Sequence, residues 1–178
     1  MTGAQASGKS TVADLLARSF PRGVHVRGGQ FYRWVVRGWA PFDDPDPAAA
    51  RRDLDLRYRL SRQAADTYAA AGFTCVVQDN VYGADVADWL AALAAPAHLV
   101  VLRPAVAVLE ARDAARRAAT GKVAYTPAFT PAENDRHLAG TDPRLGLWLD
   151  TGDQTPEQTV ATVLARAEEA RVPGLRRG

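Results

Sequence analysis

The chain has 178 residues, a net charge of +2 and 47% apolar residues, which suits one domain with a sizeable core and gives no charge argument for nucleic acid or a membrane surface as partner. Its one cysteine, Cys75, lies in an apolar run, excludes an internal disulfide and suits a reducing compartment. No apolar stretch is long enough to span a bilayer and no signal-peptide pattern opens the sequence, so the expected location is the cytoplasm.

The first element is the loop "MTGAQASGKST". Gly3, four residues, then Gly8-Lys9-Ser10 satisfies G-x-x-x-x-G-K-[ST], the P-loop pattern. Gly3 and Gly8 let the backbone curl so that N–H groups, including those near Ser7 and Thr11, point at an anion. Lys9 can reach the outer phosphates of a nucleotide, and the Ser10 hydroxyl can ligate Mg²⁺. The run from Ser10 to Phe20 reads as a helix, with Val12, Leu15, Leu16 and Phe20 near helical spacing and its N-terminal dipole aimed at the phosphates.

Further along, "GVHVRG" (23–28) reads as a strand, 30–37 as a short helix, and the proline-rich, acidic 39–47 as a loop. A long helix is expected over 48–71, with Leu54, Tyr58, Ala65 and Tyr68 on one side. "FTCVVQD" (73–79) is a β-branched strand ending in an acid. A helix over 85–93, a strand over 97–104 and an Arg-rich helix over 105–119 follow. A proline-broken segment leads to a short helix from about 131, then a strand at 145–150 and a helix over 156–171, with Thr155 as N-cap and Pro156 in its first turn.

Strands alternating with helices imply an α/β fold, a parallel sheet covered on both faces. The strand that should precede the loop is reduced to Met1-Thr2. The expectation is a reading frame that starts late, with roughly five or six apolar residues upstream, the usual strand length.

In order, "TGAQASGKSTVADLLA", "GVHVRGG", "AAAGFTCVVQDNV", "HLVVLRP" and "RLGLWLDTGDQTPEQTV" resemble small bacterial P-loop phosphotransferases. Chloramphenicol phosphotransferase-like kinases are the nearest group, with zeta toxins and gluconate or adenylylsulfate kinases further out. The resemblance covers most of the chain, although only the P-loop is highly specific. It implies a three-layer P-loop NTPase domain over 1–178. It also implies transfer of the ATP γ-phosphoryl group to a hydroxyl of a small molecule, with Mg²⁺.

The resembling kinases carry an acid just past the second strand, to take the acceptor proton. Here that position is Gly29, followed by Gln30, and neither can act as a base. Asp79 is the nearest replacement, as base or as the acid that orders Mg²⁺ and its water; the alternative is a plain strand cap. Asn80 can orient an acceptor hydroxyl. The segment at about 110–130 corresponds to a lid whose arginines, Arg116 first and Arg112 second, would clamp the phosphates; either can equally be part of a solvated basic face. Thr151-Gly152-Asp153 would border adenine, by fold analogy.

Phe31, Tyr32, Trp34 and Trp39 can wall an acceptor pocket, with Arg33 or Arg57 binding an anionic group, although core packing is the better expectation for at least two of the aromatics. His25, His98 and His137 share no metal-ligand spacing and are read as structural. Two other functions stay open: an ATP-binding protein that has lost transfer, suggested by Gly29, and an NTPase that hydrolyses ATP.

Overall fold

The computed structural model describes residues 1–126 and 129–172. Chain order is β1 (Thr2–Gly3), α1 (Lys9–Arg18), β2 (Gly23–Arg27), α2 (Gly29–Arg33), α3 (Pro47–Ala70) and β3 (Thr74–Gln78). It continues α4 (Asp85–Ala91), β4 (Val100–Leu102), α5 (Val106–Thr120), α6 (Pro131–Ala139), β5 (Leu147–Leu149), α7 (Pro156–Ala165) and α8 (Ala167–Ala170).

Every strand pair is parallel: β2 with β3, β1 with β4, and β4 with β5. Met1 joins the two halves. Its amino nitrogen donates to Val77 O at 2.7 Å, and Asp79 N donates to Met1 O at 3.2 Å. The order across the molecule is therefore β2-β3-β1-β4-β5, with β1 only a stub at the centre.

Period-2 alternation divides the core. Val100, Leu102, Leu147 and Leu149 face Val12, Ala13 and Leu16 of α1 and Val163 of α7. Leu99 and Val101 face the other way, onto Tyr58 of α3, Val86, Trp89 and Leu90 of α4, and Leu138 of α6. Helices on both faces of a parallel sheet make the three-layer α/β fold expected from the alternation of elements.

Local chemistry explains the helix starts. Asp46 Oδ1 accepts from Ala48 N and Ala49 N ahead of Pro47. Thr130 and Thr155 each form a capping box, with Glu133 and Gln158, ahead of Pro131 and Pro156.

Four expectations are corrected. The helix expected over 30–37 ends at Arg33, and Gly38 beyond it has φ 86°. The helix expected over 156–171 breaks at Arg166 (φ −112°, ψ 27°), because α8 turns so that Ala170 O accepts from Leu99 N and Val172 N reaches Ala97 O. The aromatics of 31–39 are not core: none is buried, and Trp34 is 66% exposed. Tyr68, on the presumed inner side of the long helix, is exposed as well.

Candidate active site

The loop between β1 and α1 is shaped by its glycines. Gly3 (φ 150°) lies so close to the main chain of Leu102 that a Cβ there would overlap the Leu102 carbonyl. Gly8 has φ 92° and is the residue before the first turn of α1. Ala6, with φ 62°, is the one non-glycine with positive φ among the described residues. Left-handed residues alternating with others turn successive N–H groups inward, and the N-terminus of α1 lies directly behind them.

Lys9 is buried and folds back on the loop, donating to Gly3 O at 2.7 Å and Ala4 O at 2.6 Å. Burial, then the positive charges of Arg57 and Arg116, lower its pKa from 10.5 to about 7. Those two arginines are themselves paired, Arg57 with Asp79 and Arg116 with Asp113. The buried Ser7 Oγ, Thr151 Oγ1 and Arg116 Nε have no hydrogen-bond partner. Orphaned polar atoms beside a buried lysine and a helix N-terminus are the complement of a polyanion.

Two residues not anticipated from the sequence hold the loop in place. Gln5 N donates to Asn134 Oδ1 at 2.7 Å, and the Tyr125 hydroxyl donates to Gln5 O. Asn134 is fully buried on α6, and Tyr125 lies in the segment after α5. Burial raises the Tyr125 phenol pKa, which keeps it a donor. Each is more than a hundred residues from Gln5 in the chain, so no local pattern announces it.

Asp79 follows β3, as expected, and is 2% exposed. It is not free: Arg57 of α3 forms an ion pair with Oδ1, and Asn80 N donates to the same oxygen at 2.7 Å. Oδ2 and Arg57 Nε are buried without partners. Arg57, considered from the sequence for an acceptor's anionic group, is thus the partner of Asp79, and its guanidinium also lies 4.9 Å from the Tyr32 ring centroid. Tyr32 in turn stacks on Trp39 at 4.8 Å. A Cβ at Gly29 would meet nothing, whereas one at Gly28 would land on the Asp79 carboxylate.

Ser10 is exposed, and its hydroxyl donates to Gln78 Oε1 at 3.2 Å. Thr11 is exposed beside it. Among the described residues no group of three His, Cys, Asp or Glu is placed to hold a metal. Ser10 Oγ and Gln78 Oε1 are paired beside the loop, oxygen ligands that suit a hard cation taking most of its ligands from phosphate and water.

The two arginines expected in a lid differ. Arg112 donates to Ser7 O at 3.3 Å, Thr151 O at 2.8 Å and Gly152 O at 3.3 Å, so it ties the loop to the segment after β5 through main-chain carbonyls. Arg116 pairs with the buried Asp113, which also accepts from Ala124 N at 3.0 Å. The expected lid, about 110–130, includes residues 127 and 128, which lie outside the described residues. His25 is half-buried on β2, 3.6 Å from Asp14, and His137 packs against Phe42 and Phe129.

The sequence profile of the AAA domain family (AAA_33) matches residues 1–131, and the chain belongs to that family of P-loop proteins. Its fold is the P-loop kinase fold. A sugar kinase from Janibacter sp. HTCC2649, solved without ligand, superposes with a TM-score of 0.64 at 19% identity, covering 99% of this chain and 96% of the other. A gluconokinase from Sinorhizobium meliloti 1021 does so with a TM-score of 0.59 at 20% identity, covering 95% and 90%. No curated protein matches the sequence. No helix among the described residues is long and apolar enough to cross a membrane.

Proposed function

We propose that the protein is an ATP-dependent phosphotransferase that moves the γ-phosphoryl group to a hydroxyl of a small molecule. The observation that carries this is the Gly3–Ser10 loop itself, with positive φ at Gly3, Ala6 and Gly8, the α1 N-terminus behind it, the buried Lys9 folded onto its carbonyls, and the Ser7 and Thr151 hydroxyls unpartnered. The likeness to a sugar kinase and a gluconokinase supports the same class of reaction.

In this reading the loop N–H groups and the α1 N-terminus hold the phosphates, and Lys9 leaves its two carbonyl partners to meet the outer ones. Ser10, with Gln78 beside it, would hold Mg²⁺, which when bound neutralises charge on the outer phosphates. Thr151 borders the nucleoside side, where Arg112 fixes its carbonyl. Transfer breaks the bond from the γ-phosphorus to the ADP oxygen and forms one to the acceptor oxygen. The acceptor proton leaves late in a loose transition state, to an oxygen of the transferred phosphoryl group and from there to water, so positioning outweighs basicity. Asp79, held by Arg57, then orients the acceptor and its proton, and Arg116 faces the charge that shifts to the leaving oxygen.

The test is ATP turnover against a library of hydroxyl compounds, with and without Mg²⁺. Turnover that rises only with an acceptor supports the proposal. A second reading, an ATP-binding protein without transfer, draws on Gly29 and on the engagement of Asp79 by Arg57; tight ATP binding with no turnover favours it. Acceptor-independent hydrolysis would instead indicate an NTPase.

A further inference from the structure

Among the described residues nine large apolar side chains are exposed, and five of them share one short segment: Trp34, Val35, Val36, Trp39 and Phe42. Single exposed apolar residues need no explanation, but such a cluster does. The segment is held in shape. Trp34 meets Phe31 of α2 edge to face at 5.3 Å, and Trp39 turns back to stack on Tyr32 at 4.8 Å. Ala40 N donates to Asp53 Oδ2 of α3 at 2.7 Å, and Phe42 packs edge-on against Phe129 and His137 at the α6 end. The rings are anchored yet uncovered, and Val36 between them is wholly exposed. Apolar groups already fixed in place lose little further freedom when a partner covers them.

Charge is divided along the same segment. Arg33 and Arg37 lie at its α2 end, and Asp43 lies at its α6 end, next to Phe42 and followed by Asp44 and Asp46. Neither arginine nor Asp43 has an ion-pair partner among the described residues. A small apolar ligand would cover the rings and leave both sets of charges unused. An anionic lipid surface would attract the basic end and repel the acidic one. A second copy related by a two-fold axis uses every part: rings cover rings, and the basic end of each copy meets the acidic end of the other.

We infer that the face formed by residues 34–42 is the contact between two copies of this chain in a two-fold dimer. Trp34, Trp39 and Phe42 are its apolar centre, and Arg37 with Asp43 of the other copy is its charged rim. The segment is short beside the roughly 20–30 residues a side of a stable interface, so the dimer is weak and concentration-dependent. Tyr32 lies between Trp39 and Arg57, so the contact is one ring away from the Asp79–Arg57 pair.

Sedimentation over about 1–500 µM, the span of weak interfaces, is expected to show the mass rise from one chain toward two. Val36→Asp changes a wholly exposed side chain and should weaken the dimer by about tenfold or more. Arg37→Asp and Asp43→Arg each set like charges against one another across the axis, and each alone should sediment as a single chain. An equal mixture of these two variants restores opposite charges at both contacts and should recover the dimer, which separates the contact from any effect on folding. A wild type that stays a single chain at every concentration would overturn the inference. So would a dimer that Val36→Asp leaves intact, or a mixture no heavier than its components. Tryptophan emission that shifts with anionic vesicles or with acceptor compounds, in a chain that remains single, would give the face to those occupants and overturn it too.

Discussion

Gly28 lies against Asp79 with no room for a side chain: a Cβ built on it falls inside the carboxyl group, within contact of Cγ and both oxygens. Its neighbour Gly29 faces open space. The glycine that matters sterically is therefore the first of the pair. Gly28→Ala should displace Asp79, strain its ion pair with Arg57, and cost about 1–3 kcal/mol, the range for overpacking a close contact. Gly29→Ala, at the first position of α2, should stay within about 0.5 kcal/mol of the parent. Urea unfolding of the two variants checks this, and equal stability would show that Asp79 is not pressed on Gly28.

A second prediction follows from the lowered pKa of Lys9. Its folded value of about 7 lies below the ordinary 10.5, so between these pH values the unfolded chain binds more protons than the folded one. Stability should therefore rise with pH across that window on account of this residue. ATP reverses the local field, because its phosphates favour the charged form. At pH 8.5 binding should take up close to one proton, and near pH 6, where Lys9 is already charged, its uptake should vanish. Calorimetry in buffers of different ionisation enthalpy measures this directly. Lys9→Ala should abolish the uptake at pH 8.5, weaken ATP binding and remove turnover; an unchanged affinity would place the nucleotide elsewhere.

What the sequence made legible was contiguous. The P-loop, its helix, the acid at the end of β3 and the Thr155 cap each lie within a few residues, where spacing reports geometry. The partners of those groups were not legible. Arg57 meets Asp79 from a different element, and Asn134 and Tyr125 reach Gln5 across most of the chain. Composition misled at 31–39, where an aromatic run resembles core yet Trp34 and Trp39 are exposed. The break at Arg166 was equally invisible, since it serves the pairing of Ala170 with Leu99 rather than any local preference.

Arg112 and Arg116 should separate in kinetics. Arg112 binds three main-chain carbonyls, two of them on the segment after β5. Arg112→Ala should lower stability by about 1–3 kcal/mol, as expected for lost hydrogen bonds from a charged donor, and weaken ATP binding with it. Arg112→Lys should not restore it, because one ammonium cannot span three acceptors. Arg116→Ala leaves those ties intact. It should lower turnover more than ATP affinity, the signature of an interaction made mainly in the transition state. Matching losses in both variants, in stability and in turnover, would remove the distinction.

The Asp79–Arg57 pair decides between an active kinase and one that only binds ATP. Both side chains are buried, so removing one partner leaves the other charge uncompensated, at a cost of about 3–5 kcal/mol. Activity of a single variant is then confounded with folding, and the informative set is Asp79→Asn, Arg57→Met and the double variant. If the pair is structural, the double variant should regain most of the stability and the turnover together. If Asp79 orients the acceptor, the double variant should regain stability while transfer stays down by about a hundredfold or more, the scale of losing a general base or its equivalent. Gly29→Asp supplies the complementary measurement, because the open space there admits a carboxylate. In a working kinase it should change transfer little; in a protein inert toward every acceptor it should restore measurable transfer. The expected result is stability regained without transfer in the double variant, with Gly29→Asp near neutral. A wild type inert throughout the acceptor library and rescued by Gly29→Asp would instead mark a site that binds ATP and has lost its catalytic acid.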